Sequence, residues 1–206
     1  MRKFVVLALL AVCFTGIGLV FWQQELQYAK PTPAPPLYQR VAFNESISLA
    51  GTTLADRQGP LYLHFFNPDC PCSRFNQKHY QSLIRTFKDK LTLYAIVPPY
   101  ADADRAKQML GNDVQVIIDT DDKIAKACGT YATPQAVIID GAHQLYFRGN
   151  YNKSRYCTQP ETNYAERALT AFVNSEPLPL FDAYATRAYG CELPTESDQP
   201  DFWTLN

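Results

Sequence analysis

Hydrophobic residues form one long uninterrupted run at the start of this chain, followed by short blocks separated by polar turns. The run, Phe4–Trp22, contains no charged residue and follows the cationic start Met1–Lys3. As an α-helix it spans about 28 Å, close to the hydrocarbon thickness of a bilayer. The pattern therefore predicts an N-terminal membrane anchor over residues 1–24, with residues 4–22 in contact with lipid.

Two alternatives to an uncleaved anchor are a cleaved signal peptide and a lipoprotein signal. A signal peptide has a shorter apolar core and small residues at its cleavage site, and neither feature is obvious here. A lipoprotein signal ending at Cys13 has a small residue where this chain has Val12, and the apolar run continues past the cysteine. We favour the anchor, in which Cys13 fills apolar space.

The positive charges of Arg2 and Lys3 set the expected orientation of the anchor. Positively charged flanks stay in the cytoplasm, so the rest of the chain is expected on the other side of the membrane. In a bacterium this means a single pass through the inner membrane with the globular domain in the periplasm, where disulfides persist.

The hydrophobic blocks after the anchor alternate between strand and helix patterns. Residues 25–44 contain a proline cluster and are expected to form an extended, stiff linker. The alternating blocks form a predicted domain over residues 45–176, and residues 177–206 are an irregular C-terminal extension. The order β-α-β-α-β-α-β-β-α indicates an α/β fold with a mixed sheet flanked by helices. The predicted strands are 61–66, 91–97, 114–118, 136–139 and 144–148, and the predicted helices are 73–88, 101–110, 121–128 and 161–174.

Composition excludes several classes of protein. Apolar residues make up 47% of the 206 residues and charged residues 19%, so the chain can bury a core and is not disordered throughout. A net charge of -1 gives no indication of nucleic-acid binding. Six cysteines are too few for a small disulfide scaffold, so the position of each cysteine carries the information.

The segment Cys70-Pro71-Cys72 lies where the first predicted strand gives way to a helix. Pro71 suits the first helical position, because its missing N–H has no helical partner there. Cys70 then lies at or near the N-cap, where unpaired amides and the helix dipole stabilise a thiolate, the reactive form of cysteine. The junction therefore predicts a reactive pair, Cys70 and Cys72, at a catalytic site.

Two segments of the chain resemble the thioredoxin superfamily. PLYLHFFNPDCPCSRF is similar to the strand and cysteine pair that open a helix, and YATPQAVIIDGAHQLYFRG to the later segment in which a Thr-Pro pair enters a strand. Within the superfamily the chain looks closest to membrane-anchored thioredoxin-like proteins with a Cys-Pro-Cys site. The resemblance implies that Pro134 is cis and faces the cysteines, that Thr133 and Pro134 orient a partner chain, and that no cofactor is required.

The site departs from the family's usual pattern, in which two residues separate the cysteines. Aligning Cys70 with the first thiol puts Ser73 at the second position, so the resolving thiol is left open between Cys72 and a more distant cysteine. The motifs and the resemblance predict a membrane-anchored, extracytoplasmic thiol–disulfide oxidoreductase that acts on protein thiols. The alternatives are a protein that holds Cu(I) between two thiolates and a redox-inactive binding module of the same fold.

The remaining cysteines and the histidines have structural interpretations. Cys157 and Cys191 flank the last predicted helix and are expected to form a structural disulfide, whose loop of about 35 residues contributes about 3–4 kcal/mol in the chain-entropy model. The alternative is a second redox pair that exchanges with the Cys-Pro-Cys site. Cys128 is expected to pack in the core, with a resolving role left open. The three histidines, scattered along the sequence, predict no metal site.

Overall fold

The computed structural model describes residues 2–36 and 38–193. Its first element, α1 (Arg2–Ala29), is a helix whose side chains are exposed along residues 4–22. Within the described residues one helical stretch, Arg2–Gln23, is long and apolar enough to cross a membrane. Its length and composition fit a single N-terminal span or a signal sequence.

The centre of the domain is a mixed sheet. The strands of the described chain are β1 (Leu61–Phe65), β2 (Thr92–Val97), β3 (Gln115–Ile118), β4 (Ala132–Thr133), β5 (Gln135–Ile139), β6 (Leu145–Gly149) and β7 (Cys191–Glu192). Five of these form one sheet in the order β3-β2-β1-β5-β6. β1, β2 and β3 are parallel, and β5 is antiparallel to both β1 and β6. The predicted mixed α/β sheet is confirmed, because the late hairpin adds antiparallel strands to a parallel half.

Helices and a loop segment pack on the two faces of this sheet. The helices after α1 are α2 (Pro71–Phe87), α3 (Ala103–Leu110), α4 (Lys123–Cys128), α5 (Tyr164–Val173) and α6 (Ala183–Thr186). Successive side chains of β1 point to opposite faces, so Tyr62 packs with α2 and α5 while Leu63 packs with α4. Because both faces are covered, β1 is buried along its whole length and positions the residues that follow it.

A polar cluster is buried on the α2 face of the sheet. The Tyr151 hydroxyl lies 2.6 Å from Nδ1 of His64 and 2.7 Å from the hydroxyl of Tyr62. The ring of Tyr80 stacks on His64, with ring centroids 3.7 Å apart. Burial disfavours the charged imidazolium, so the pKa of His64 lies well below its ordinary value of 6.5.

The chain after α5 crosses back to β4 and packs on the domain. β7 pairs antiparallel with β4 in a small second sheet. The proline-rich linker reaches the same place, where Thr32 donates hydrogen bonds from its amide to Ala188 O (2.9 Å) and from its hydroxyl to Gly190 O (3.1 Å). The predicted C-terminal extension is thus joined to both the domain and the linker up to Leu193, and its residues 194–206 lie outside the described part.

The buried His64 makes stability depend on pH. In the unfolded chain its pKa returns to about 6.5, so the unfolded state binds a proton that the folded state does not. The unfolding free energy should be fully present above about pH 6.5 and fall below it, by at most about 1.4 kcal/mol per pH unit for this group. Urea unfolding of the full chain in detergent measures this slope, which we expect to be shallower in H64N.

The matched control for this prediction is H143N, at a partly exposed loop position. The slope in H143N should be steeper than the slope in H64N. Burial also lowers the pKa of His79, so a residual slope of the same sign is expected in H64N. An H64N slope identical to the wild-type slope would show that His64 does not couple protonation to folding.

Candidate functional site

Cys70 connects β1 to the first turn of α2. Its backbone is extended (φ −75°, ψ 121°) and Pro71 follows in the first turn, so Cys70 is the N-cap as the sequence predicts. The helix begins at Pro71 rather than at the predicted residue 73, because the Cys70 carbonyl already accepts a hydrogen bond from Arg74 N (3.1 Å). The Asp69 carboxylate is paired with Arg105 at the surface, which offsets a charge that would oppose a thiolate at Cys70.

The segment around Thr133 and Pro134 lies directly against Cys70. The peptide bond between these two residues is cis. The Sγ atom of Cys70 lies 3.4 Å from the Thr133 carbonyl oxygen, although the residues are 63 positions apart. Thr133 is fully buried, so its carbonyl is held in place by the packing around it. The fold thus brings together three residues that the sequence marks for one site.

Cys70 forms a disulfide with Cys191, which lies 121 positions further along the chain. Their Cα atoms are 6.0 Å apart, within the usual range for a disulfide. The expected disulfide between Cys157 and Cys191 is therefore wrong, because the pairing of β7 with β4 places Cys191 opposite Thr133 and beside Cys70. In the chain-entropy model, a loop of this length contributes about 5 kcal/mol to stability.

Gly190 lets the tail approach β4 closely. A Cβ atom at this position would overlap the Thr133 carbonyl oxygen, and its φ of +146° is one that residues with side chains rarely adopt. The turn before it is held by Asn150, whose amide donates to the carbonyl oxygens of Tyr184 and Arg187 (2.6 Å each). The role of Gly190 was not predicted from the sequence, where its one distinguishing feature is a position directly before a cysteine.

Cys72 and Cys157 retain their thiols and lie together beside this disulfide. Both line a cavity of about 320 Å³ that is also bounded by Pro134 and Gly190. The Cys157 thiol donates a hydrogen bond to Oδ1 of Asn76 (2.9 Å). Burial raises the pKa of Cys157 to about 12, and the neighbouring Cys72 acts in the same direction. Cys72 is therefore close to Cys70 in sequence but shares its surroundings with Cys157.

Cys128 belongs to the core on the other face of the sheet. It is fully buried with the side chains packed around α4, and burial raises its pKa to about 12. The Arg148 guanidinium donates to the Cys128 carbonyl oxygen (2.9 Å) and to that of Val41 (3.1 Å), which ties the end of α4 to the linker. The expected core position of Cys128 is confirmed.

Metal ligands do not gather at the site. Across residues 2–36 and 38–193, no group of three or more histidine, cysteine, aspartate or glutamate side chains is placed to hold a metal ion. His64 belongs to the buried tyrosine cluster and the ring of His79 lies 6.1 Å from that of Tyr151. The reactive side chains that the structure brings together at this site are those of the cysteines.

Comparisons with known proteins agree with the fold. A family model described as a domain of unknown function (DUF6436) matches residues 39–193. A hypothetical protein from Sinorhizobium meliloti has a similar structure at 16% identity (TM-score 0.63; 77% of this chain and 97% of that chain). An uncharacterized conserved protein from Geobacillus kaustophilus is similar at 21% identity (TM-score 0.58; 79% and 90%). A pneumococcal lipoprotein thioredoxin from Streptococcus pneumoniae is similar at 17% (TM-score 0.45; 59% and 89%).

No curated protein matches the chain. The fold is thioredoxin-like, as the two resembling segments imply. Its marks in this chain are the mixed five-stranded sheet, the cysteine at the N-terminus of α2 and the cis-proline that follows β4.

Substitution of Gly190 tests how the tail is seated. In G190A the added methyl group must move away from the Thr133 carbonyl, so the paired form of the tail loses stability relative to the released form. We expect the equilibrium constant for the Cys70–Cys191 disulfide to fall at least about tenfold in glutathione redox buffers. Quantitative thiol alkylation with mass spectrometry measures this constant.

G141A is the matched control, because nothing lies near the position of its new Cβ atom. Its equilibrium constant should equal that of the wild type. An unchanged constant in G190A would contradict the close seating of the tail on β4.

Proposed function

The chain belongs to the DUF6436 family, and from the meeting of Cys70, Cys191 and Thr133 we propose that it is a membrane-anchored thiol–disulfide oxidoreductase acting on protein thiols. The observation that carries the proposal is the Cys70–Cys191 disulfide. In it, a cysteine at a helix N-terminus is bonded to an extended segment that is paired in register beside the cis-proline. No cofactor is needed for exchange at this site.

The position of Cys70 suits a nucleophile. Once the disulfide is reduced, its sulfur lies at the N-terminus of α2, where unpaired amides and the helix dipole favour the thiolate. The thiolate attacks one sulfur of a partner disulfide, a mixed disulfide forms, and the other partner sulfur leaves as a thiolate. Electron flow in the opposite direction uses the same intermediate.

The tail supports a role for Thr133 and Pro134 in orienting the partner. Cys191 lies opposite Thr133 in the antiparallel pairing while its sulfur is bonded to Cys70. A partner chain extended along β4 would place its own cysteine in the same position. The pairing uses backbone groups of β4, so it would accept partners of varied sequence.

We assign Cys191 as the resolving cysteine. Its thiolate attacks the Cys70 sulfur of a mixed disulfide, the Cys70–Cys191 bond forms, and the partner leaves as a thiol after taking up a proton. Cys70 is only 2% exposed when the tail is paired, so a partner reaches it only after the tail has left β4. The partner chain and the tail therefore compete for the same site on β4, next to Cys70.

The disulfide also favours this function over the copper-binding alternative. A Cu(I) site between Cys70 and Cys72 needs both sulfurs as thiolates. The Cys70 sulfur is instead bonded to Cys191 in this structure. A redox-inactive binding module gives no reason for a disulfide at the N-cap position of α2.

The anchor and its orientation complete the proposal. We assign residues 4–22 of α1 to the membrane, with the cationic start in the cytoplasm. In a bacterium the domain then lies in the periplasm, attached to the inner membrane by a single pass. The Cys70–Cys191 disulfide supports this location, because disulfides persist in the periplasm and are reduced in the cytoplasm.

Exchange activity tests the proposed nucleophile. The full chain in detergent should exchange disulfides with a self-quenched fluorescent peptide disulfide, and C70S should lose at least about a hundredfold in rate, because its hydroxyl cannot form the mixed disulfide. C128A is the matched control, since Cys128 lies in the opposite core, and it should keep the wild-type rate. A C70S rate equal to that of the wild type would overturn the proposal.

Thiol labelling tests the proposed topology. A membrane-impermeant maleimide added to spheroplasts should label D56C, in an exposed loop of the domain, and should not label K3C, before the span. Both variants carry C13S, C72S, C128A and C157S, so that the introduced cysteine is the one thiol outside the Cys70–Cys191 disulfide. Labelling of K3C with protection of D56C would reverse the proposed orientation, and release of the chain by alkaline carbonate would contradict the anchor.

A further inference from the structure

Two cysteines beside the Cys70–Cys191 disulfide have no part in the exchange described above. Cys72 lies in the first turn of α2 and is buried, and Cys157 lies in the segment between β6 and α5 and is partly buried. Both line the cavity of about 320 Å³ next to the disulfide. The cavity gives their side chains room to move toward each other.

The Cys157 thiol faces the side of α2 that carries Cys72. Asn76 lies one helical turn after Cys72, so the two side chains share a face of the helix. The Cys157 thiol donates to Oδ1 of Asn76 at 2.9 Å. The electrostatic effect of Cys72 on the pKa of Cys157 agrees with this proximity.

The loop that carries Cys157 is held in place by Asn152. The Asn152 amide donates to Gln159 O and to Oδ1 of Asn163 (2.7 Å each), and its Oδ1 accepts from Ser154 N (2.8 Å). Cys157 itself has φ +54°, in the left-handed region that few residues with side chains occupy. A conformation of this kind persists where the surroundings impose it, and here it directs the thiol toward α2.

We propose that Cys72 and Cys157 form a second disulfide and receive it from the Cys70–Cys191 pair through Cys72, so that the chain contains a disulfide relay. This rests on the proposed function of Cys70. It also gives the Cys-Pro-Cys motif a role, since its second cysteine connects the exchanging disulfide to an internal one.

The relay consists of two exchange steps. The Cys72 thiolate attacks the Cys70 sulfur, the Cys70–Cys191 bond breaks, and Cys191 leaves as a thiolate. The Cys157 thiolate then attacks the Cys72 sulfur, the Cys70–Cys72 bond breaks, and Cys70 leaves as a thiolate. Each attacking thiol gives up a proton and each leaving thiolate takes one up. The Cys70–Cys191 pair is reduced by the two electrons that Cys72 and Cys157 lose, so the relay needs no external oxidant or reductant.

The relay changes the state of the site. It returns Cys70 to its nucleophilic form and frees Cys191, so that the tail can leave β4. A chain with both disulfides is oxidised by four electrons relative to the fully reduced chain. A chain with only the Cys72–Cys157 disulfide, the inner disulfide, presents the Cys70 thiolate to partners. Because the Cys157 thiol ionises with difficulty, the second step should accelerate as the pH rises.

The inner disulfide, Cys72–Cys157, can be tested in a chain that lacks the Cys70–Cys191 disulfide. C13S/C70S/C191S keeps only the thiols of residues 72, 128 and 157. Oxidised glutathione should convert residues 72 and 157 to an intramolecular disulfide in most chains, detected by mass spectrometry of proteolytic peptides. The same variant with C128A added should behave identically, and the one with C157S added should form no intramolecular disulfide. Two persisting thiols, or glutathione adducts on both, would overturn the proposal.

Disulfide mapping of the wild-type chain avoids any effect of the substitutions on folding. After full oxidation it should yield both the Cys70–Cys191 and the Cys72–Cys157 peptides, and a chain that yields the first without the second contradicts the relay. Loss of peptide exchange with an intact inner disulfide would instead count against the proposed function alone. Stoichiometric Cu(I) bound by Cys72 and Cys157 in place of a disulfide would also overturn the relay.

Discussion

The antiparallel pairing of β7 with β4 is the constraint on which the site depends. It places Cys191 opposite Thr133, whose carbonyl oxygen lies 3.4 Å from the Cys70 sulfur. The backbone pairing therefore holds Cys191 near enough to Cys70 for the disulfide to form. The pairing also covers Cys70, and the residues that flank the two paired strands, Pro134 and Gly190, line the cavity that holds Cys72 and Cys157. In the function proposed here, this two-residue strand controls both the oxidation state of Cys70 and its access to partners.

Residues from distant parts of the chain cooperate to hold that strand. Thr32 of the linker hydrogen-bonds to the tail on either side of Tyr189, and Asn150 holds the turn that precedes it. Gly190 removes the side chain that would keep the tail off the Thr133 carbonyl. Since Thr32 lies just after the end of α1, release of the tail would also loosen the connection between α1 and the domain.

The local features of the site could be predicted from sequence because they depend on neighbouring residues. Pro71 fixes the start of α2 and so makes Cys70 the N-cap, and alternating apolar blocks give the five strands of the main sheet and helices α2 to α5 to within a few residues. The partner of Cys70 could not be predicted this way. Cys191 is 121 positions from Cys70 and much closer in sequence to Cys157, so sequence separation favours the wrong pairing. The contact between β4 and β7 determines the right one.

Disulfide mapping of the fully oxidised wild-type protein tests the central claim most directly. The chain is oxidised in detergent, acid-quenched to stop exchange, alkylated and digested, and the linked peptides are identified by mass spectrometry. We expect Cys191 to be linked to Cys70, with Cys157 absent from that peptide. A linkage of Cys191 to Cys157, or of Cys70 to Cys72 as the dominant form, would contradict the account.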